Sequence, residues 1–194
     1  MKYDPKIHHR RSIRLREYDY SSPGSYYVTI CTHNKEHSFG RVVNGQMHRT
    51  AYGDVAHEEW FRTAAVRQDV QLDAFMVMPN HIHGIIIRTR PGWNWDGDTA
   101  RRAPAWEQFG KPVPDSLPTL MRSYKSAVTG RVNKLRRPAS ASVWQGGYYE
   151  HVIRNEAELN RIREYILTNP LRWGSDRYNP ERVPAEKGDD DFDW

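Results

Sequence analysis

The sequence predicts a mixed fold of β-strands and α-helices in one domain. Apolar, β-branched runs with the length of strands alternate along the chain with stretches whose apolar residues recur every three or four positions. The length of 194 residues suits a single domain with extensions. We therefore expect a basic N-terminal arm over 1–20, a domain over 21–175 and an acidic C-terminal tail over 176–194.

The first half of the chain predicts three strands, one hairpin and one helix. An aromatic and β-branched run over 26–32 follows a turn at 21–24 and reads as the first strand. Asn44-Gly45 predicts a small hairpin over 41–48, because this pair favours a tight two-residue turn. A helix is predicted from about Gly53 to Gln68 by its apolar spacing. Two apolar runs then flank Pro79-Asn80 and predict adjacent antiparallel strands, 71–78 and 81–88.

The second half predicts a long loop, two helices and one interrupted strand. Residues 89–113 are rich in Pro, Gly, Trp and Arg and predict the loop. Residues 116–137 form an amphipathic helix with a basic outer side, and 143–154 predict strand pieces broken by glycines. Asn155 and Glu158 resemble a capping box, so the last helix starts there and ends near Asn169, before Pro170. The remaining residues, 171–194, predict a loosely held tail.

Composition excludes several classes of protein. The mean hydropathy of −0.87 and the lack of any long apolar run argue against a membrane span. The single cysteine, Cys31, excludes an internal disulfide framework and suits a reducing compartment. Residues 1–20 have no apolar core of signal-peptide length. We therefore expect a cytoplasmic protein without a membrane partner.

The charge distribution points to a polyanionic partner. The formal net charge is +5, and the sequence pI is about 9.3. Basic residues crowd the start of the chain and four aspartates its end, so the body is more basic than the total suggests. Lys and Arg neutralise phosphates, and the frequent Trp and Tyr residues can stack on bases. Ordinary surface charge is the alternative interpretation.

Two histidines on one predicted strand are the first candidate for chemistry. His81 and His83 are two residues apart and project to the same side, while Ile82 points to the other. Two neighbouring imidazoles are the beginning of a metal site. Spacing alone equally allows two polar residues on the wet face of a strand. A metal site needs a third ligand from elsewhere.

Tyr165 and Asn169 are the second candidate. They are four residues apart on the last predicted helix, one turn from each other, and so lie side by side. A tyrosine is a rare nucleophile, because its phenol is mostly protonated at neutral pH and needs a metal or basic group to favour phenolate. Asn169 offers a carbonyl oxygen that can bind a metal. Each residue alone also fits a structural role, at a core edge and at a helix end.

Together these motifs resemble a known family. The chain is similar to the HUH single-tyrosine transposases of the IS200 type, in which U is a hydrophobic residue, and most of all to the REP-associated tyrosine transposases. The resemblance covers roughly residues 20–175. IS200-type enzymes typically have Gln four residues after the tyrosine, whereas this chain has Asn169, as the REP-associated branch does. The similarity rests on the following segments: Val77-Met78-Pro79-Asn80-His81-Ile82-His83, Trp144-Gln145-Gly146-Gly147-Tyr148-Tyr149-Glu150-His151-Val152-Ile153-Arg154-Asn155 and Tyr165-Ile166-Leu167-Thr168-Asn169-Pro170.

The resemblance implies a fold, a cofactor and a reaction. The fold is α+β, with a four- to five-stranded antiparallel sheet and packed helices, related to the ferredoxin-like architecture. His81, His83 and Asn169 would hold Mg²⁺ or Mn²⁺, and Tyr165 would attack single-stranded DNA at hairpin repeats to leave a 5′-phosphotyrosine and a 3′-hydroxyl. By ligand preference alone, such a set also suits Zn²⁺ or Co²⁺. IS200-type relatives build composite sites from dimers, whereas REP-associated ones resemble monomers that carry a complete site, so a monomer is favoured over a dimer. No small-molecule substrate is expected.

Candidate DNA contacts follow from the basic character of the chain. Flexible basic arms can track phosphates or enter a groove. The first set lies in the N-terminal arm, and the second lies on the predicted helix over 116–137. They are Arg10, Arg11, Arg14 and Arg16, then Lys125, Arg131 and Lys134.

Several alternatives remain open in the sequence. Tyr124 is a rival nucleophile on a basic helix, although it belongs to the apolar stripe. His151 fits a structural hydrogen bond better than a further ligand, and Tyr148 and Tyr149 fit packing or stacking. A DNA-binding protein of the same fold that no longer cuts is the second functional interpretation. Zinc-dependent hydrolysis by water is third, since no carboxylate is obvious near the histidines.

Overall fold

The computed structural model of the protein describes residues 18–89, 113–136 and 142–182. Within them the chain forms six strands and three α-helices, with a short 3₁₀ turn directly after the last helix. In chain order these are β1 Gly24–Cys31, β2 Gly40–Val43, β3 Gln46–Arg49, α1 Ala51–Ala65, β4 Val70–Val77, β5 His81–Arg88, α2 Leu117–Leu135, β6 Tyr149–Ile153, α3 Glu156–Thr168 and the 3₁₀ turn Asn169–Arg172. The predicted loop over 89–113 lies almost wholly outside the described residues.

Four strands form one antiparallel sheet, in the order β4-β5-β1-β6. Without the β2–β3 hairpin, the chain runs β-α-β-β-α-β through this sheet and then adds α3. That order is the split β-α-β arrangement of ferredoxin-like folds. The predicted α+β class with a four- to five-stranded antiparallel sheet is confirmed, with four strands in the main sheet.

The β2–β3 hairpin is a separate two-stranded ribbon, closed by the predicted turn. Asn44 and Gly45 both have positive φ values, 51° and 73°. Those values are the backbone conformation of a type I′ turn, which Asn and Gly adopt with little strain. The hairpin prediction from Asn-Gly is confirmed.

The helices cover the two faces of the sheet in different ways. Successive residues of β1, such as Tyr26 and Tyr27, point to opposite faces of the sheet and belong to different cores. Helices α1 and α2 pack on the larger core, which contains Trp60 and Tyr124. Helix α3 packs on the other face through a smaller set of buried residues, which includes Leu159, Ile162 and Ile166. The second face is therefore where β5 meets α3.

Capping side chains determine where two of the helices begin. Helix α1 begins at Ala51, two residues before the predicted start, because the Thr50 side chain accepts a hydrogen bond from the Gly53 N–H and caps it. Helix α3 is capped by Asn155, whose side chain accepts from the Glu158 N–H. Glu158 does not close the predicted capping box on Asn155, since its carboxylate accepts from the Arg154 N–H instead.

The chain after α3 is packed rather than loosely held. Residues 171–182 continue through the 3₁₀ turn and further turns, and Asp176 and Asn179 are buried. The Asn179 side chain donates to the carbonyl oxygen of Trp173. The expectation of a loosely held tail is therefore wrong for residues 171–182, because buried polar groups fix this segment. Residues 183–194 lie outside the described part.

Candidate active site

The two histidines of β5 lie on the sheet face that α3 covers. His81 and His83 are both fully buried, while Ile82 between them joins the opposite core. The wet-face alternative is therefore wrong. The Nε2 atoms of the two rings are 2.9 Å apart, so both rings present the same nitrogen to one point.

Neighbouring side chains orient both rings. Asn80 Oδ1 lies 2.8 Å from His81 Nδ1 and can only accept, so His81 carries its proton on Nδ1. Thr29 is paired with His83 in the sheet, and its Oγ1 lies 2.8 Å from His83 Nδ1. The Tyr27 hydroxyl lies 2.7 Å from the same nitrogen. In the tautomer with its proton on Nδ1, each ring leaves the Nε2 lone pair free to bind a cation.

Asn80 also joins the site to two other segments. Its amide nitrogen donates to the carbonyl oxygen of Tyr178 at 2.7 Å and to that of Lys35 at 3.2 Å. The predicted Pro79-Asn80 turn thus orients a histidine besides connecting two strands.

Asp176 is a site residue that the sequence did not reveal. Its Oδ2 lies 4.0 Å from His81 Nε2, and its side chain is almost completely buried. Ligand atoms of His81, His83 and Asp176 lie within 4.8 Å of one another and could hold a metal ion. The sequence argument that no carboxylate lies near the histidines is therefore wrong. Asp176 belongs to no motif, and only the turns after α3 bring it here.

Helix α3 brings Tyr165 and Asn169 to the histidines. The Tyr165 ring centroid lies 5.3 Å from that of His83. Asn169 donates from Nδ2 to Asp176 Oδ2 at 3.0 Å, whereas its Oδ1 is buried and has no hydrogen-bond donor among the described residues. An orphaned buried carbonyl oxygen beside two imidazole nitrogens and a carboxylate is the donor set of a divalent cation site. The residues present therefore fit a bound metal.

Burial sets the protonation of the site. It lowers the pKa of His83 to about 3 and that of His81 well below its ordinary value, so both rings are neutral at neutral pH. Burial raises the pKa of the Tyr165 phenol above its ordinary value, and the nearby Asp176 carboxylate acts in the same direction. Burial also raises the pKa of Asp176. A bound cation would oppose the last two shifts, because it favours the anionic forms.

The rival residues lie elsewhere or have structural partners. Tyr124 is buried in the core on the other face, where its hydroxyl donates to the carbonyl oxygen of Ala56. His151 Nε2 lies 2.7 Å from a Glu158 carboxylate oxygen, which agrees with the structural role expected for it. The Tyr149 ring lies near that of Tyr27, at 6.2 Å between centroids, as expected for packing.

The candidate DNA contacts are only partly described. Arg10, Arg11, Arg14 and Arg16 lie outside the described residues. Lys125 donates to the carbonyl oxygens of Gln145 and Gly147, both at 2.8 Å. Arg131 pairs with Glu58 and Glu59, whereas Lys134 is exposed. The structure thus gives Lys125 and Arg131 intramolecular partners. In the part of the chain that is described, no helix has the length and hydropathy needed to cross a membrane.

Comparisons with known proteins agree with this architecture. No family model matches the chain. An uncharacterized protein of Haemophilus influenzae (strain Rd) is 38% identical over 177 residues, which cover 91% of this chain and 96% of that protein. A protein of the same organism named "Putative REP-associated tyrosine transposase" is 27% identical over 157 residues, 80% of this chain and 75% of the relative.

A solved structure with a similar fold is among the matches. It is described as a REP-associated tyrosine transposase bound to a REP hairpin, and it matches with a TM-score of 0.55 at 17% identity. The match covers 85% of this chain and 75% of that chain.

Proposed function

We propose that this chain is a REP-associated tyrosine transposase that nicks and rejoins single-stranded DNA at hairpin repeats. One observation carries the proposal. The end of helix α3 brings the Tyr165 ring to 5.3 Å from the His83 ring, and Asn169, which donates to Asp176, has a buried carbonyl oxygen with no partner among the described residues.

A metal is part of the proposal. Mg²⁺ or Mn²⁺, held by His81, His83 and Asn169 with Asp176 as a further ligand, would polarise the scissile phosphate and neutralise charge on its oxygens. Asn80 and Thr29 keep the imidazole nitrogens aimed inward.

Tyr165 is the proposed nucleophile. Its Oη forms a bond to phosphorus as the bond from phosphorus to the 3′ oxygen breaks. The phenol gives up its proton and the leaving 3′ oxygen takes one up, so there is no net change of protons. The products are a 5′-phosphotyrosine and a free 3′-hydroxyl. Because the phosphoester bond is conserved, a 3′-hydroxyl can attack the phosphotyrosine and reverse the step.

One chain supplies the complete set of proposed site residues. The histidines, the tyrosine and the amide ligand all meet within the described part of a single copy. This supports a monomer as the working form, with single-stranded hairpin DNA as its partner.

The test is capture of a covalent adduct. The protein is incubated with Mn²⁺ and a pool of hairpin oligonucleotides whose single-stranded flanks are randomised, and adducts are detected by denaturing gel and mass spectrometry. We expect an adduct on Tyr165, and we expect an added strand with a 3′-hydroxyl to release it. Tyr165→Phe should form no adduct and should bind the captured hairpin nearly as well as the wild type, because only one oxygen is removed.

Tyr124→Phe is the matched control, since it makes the same chemical change at the rival tyrosine. It should still form the adduct. Persistence of the adduct in Tyr165→Phe would show that another residue is the nucleophile. Cut DNA without any adduct would favour metal-dependent hydrolysis by water, and hairpin binding without cutting would favour a DNA-binding protein that no longer cuts.

A further inference from the structure

Arg177 is a cation near the proposed nucleophile that forms no ion pair among the described residues. Arg177 follows Asp176 directly, and its side chain is exposed. The guanidinium carbon lies 5.0 Å from the ring centroid of Tyr178 and 5.9 Å from that of Tyr149. One terminal nitrogen donates to the Tyr178 hydroxyl at 3.1 Å. Among the described residues no carboxylate lies within ion-pair distance of Arg177, so its remaining N–H donors are available to a ligand.

The two tyrosines connect this guanidinium to the histidine pair. The Tyr178 ring lies 4.6 Å from the His81 ring and 6.0 Å from the His83 ring, centroid to centroid. The Tyr149 ring lies near Tyr27, which touches His83. Arg177 therefore contacts the tyrosine rings that lie next to the buried histidine pair.

The charge of Arg177 acts on the groups of the site. It lowers the pKa of Tyr165 and of His83, although burial dominates both. The pKa of Asp176 is also lowered by this charge. The guanidinium charge thus acts on the proposed nucleophile and on candidate metal ligands.

We propose that Arg177 binds the non-bridging oxygens of the scissile phosphodiester beside Tyr165. This inference rests on the proposed function and adds a phosphate-binding residue to it. Attack at phosphorus concentrates negative charge on those oxygens. A guanidinium offers a planar fork of N–H donors that suits a phosphate, and its stacking on tyrosine rings keeps the fork oriented. An ammonium at this position would supply charge without the fork.

A small probe tests the contact without any knowledge of the target repeat. The dinucleotide thymidylyl-thymidine and its uncharged methylphosphonate analogue are each titrated into ¹⁵N-labelled protein with Mg²⁺. The guanidinium Nε–H resonance of Arg177 is identified by its absence from the spectrum of Arg177→Lys. We expect this resonance to shift saturably with the phosphodiester and to stay in place with the analogue. No shift, or equal shifts with both ligands, would overturn the proposal.

The second readout is the rate of adduct formation on the captured hairpin. Arg177→Gln should lower the rate about 10²-fold, in the range for loss of one donor to a developing oxyanion. Arg62→Gln removes the same charge from α1, on the opposite side of the sheet, and should keep nearly the wild-type rate. An adduct rate in Arg177→Gln equal to that in Arg62→Gln would contradict the proposal. Absence of adducts in every protein would instead refute the nicking function, and the dinucleotide titration would then decide the role of Arg177 by itself.

Discussion

Asn169 shows how much one side chain contributes to this site. Its two amide atoms have different surroundings: Nδ2 donates to the Asp176 carboxylate, and Oδ1 faces no donor among the described residues. Burying an unsatisfied carbonyl costs about 1–3 kcal/mol. A bound cation would supply the missing partner, which gives the shorter amide in place of glutamine a defined role. The neighbouring carboxylate holds Nδ2, so that Oδ1 is the amide atom left for a cation.

Asp176 should contribute directly to metal affinity. Even outer-shell partners of metal ligands change affinity about 10–100-fold when they are removed. We therefore expect Asp176→Asn to weaken Mn²⁺ binding by at least about tenfold, because the amide keeps the shape and loses the charge. Isothermal titration calorimetry measures this directly, and His81→Ala should abolish binding.

Asp115→Asn is the matched control for that exchange. Asp115 is exposed and has a positive φ of 55°, a conformation that asparagine adopts well. Its Mn²⁺ affinity should equal that of the wild type. Equal affinities for Asp176→Asn and Asp115→Asn would show that Asp176 contributes nothing to metal binding.

Strand β5 carries the site histidines on one face and packs against helix α1 with the other. Its histidines face α3, while Gly84 faces α1, where a Cβ would clash with the Trp60 ring. The Trp60 ring is fully buried and stacks on Phe75 at 4.5 Å between centroids, with 8° between the planes. The absence of a side chain at position 84 thus lets a tryptophan pack under the histidine strand.

Gly84→Ala and Gly130→Ala should therefore have opposite effects on stability. The first forces a methyl group into a packed tryptophan, and such overpacking costs about 1–3 kcal/mol. Gly130 lies in α2, where a Cβ would meet nothing within 4 Å, so alanine should add about 0.5–1 kcal/mol through helix propensity. Urea denaturation measures both free energies of unfolding. A Gly84→Ala protein as stable as Gly130→Ala would contradict this account of β5.

At the scale of the whole molecule, one site is built from strand β5 and from a distant part of the chain, helix α3 with the turns that follow it. Strand β5, helix α3 and the turns around Asp176 meet on the face opposite the larger core. The arginines of the basic N-terminal arm lie outside the described residues. Their contact with DNA phosphates is predicted from their charge. Phosphate contacts release counterions, so each one makes DNA affinity more dependent on salt.

Replacing four arginines of the arm should reduce that dependence. Each contact to single-stranded DNA contributes about 0.7 to the slope of log affinity against log salt concentration. The combined substitution of Arg10, Arg11, Arg14 and Arg16 by glutamine should therefore lower the slope by up to about 3. Fluorescence anisotropy across a salt series gives the slope, and adducts should still form at low salt. An unchanged slope would remove the arm from the interface.

Local sequence patterns were enough to predict most of the strands and helices. Asn44-Gly45 indicated the hairpin, the apolar spacing indicated three helices, and Pro170 indicated the end of α3, because each depends on short-range backbone preferences. Helix bounds shifted by a few residues where a cap such as Thr50 decided the start. The candidate site was predicted where two histidines share a strand face and where two residues share a helix turn.

The sequence by itself determined that His81 and His83 point the same way and that Tyr165 and Asn169 lie side by side, since strand and helix periodicity fix these relations within one element. Only the tertiary structure decided that the two pairs meet, that the histidines are buried, and that Asp176 and Arg177 join them. The physical reason is that contacts between distant segments depend on which sheet face each helix covers and on how buried polar groups are satisfied. Neither leaves a periodic signal in the chain.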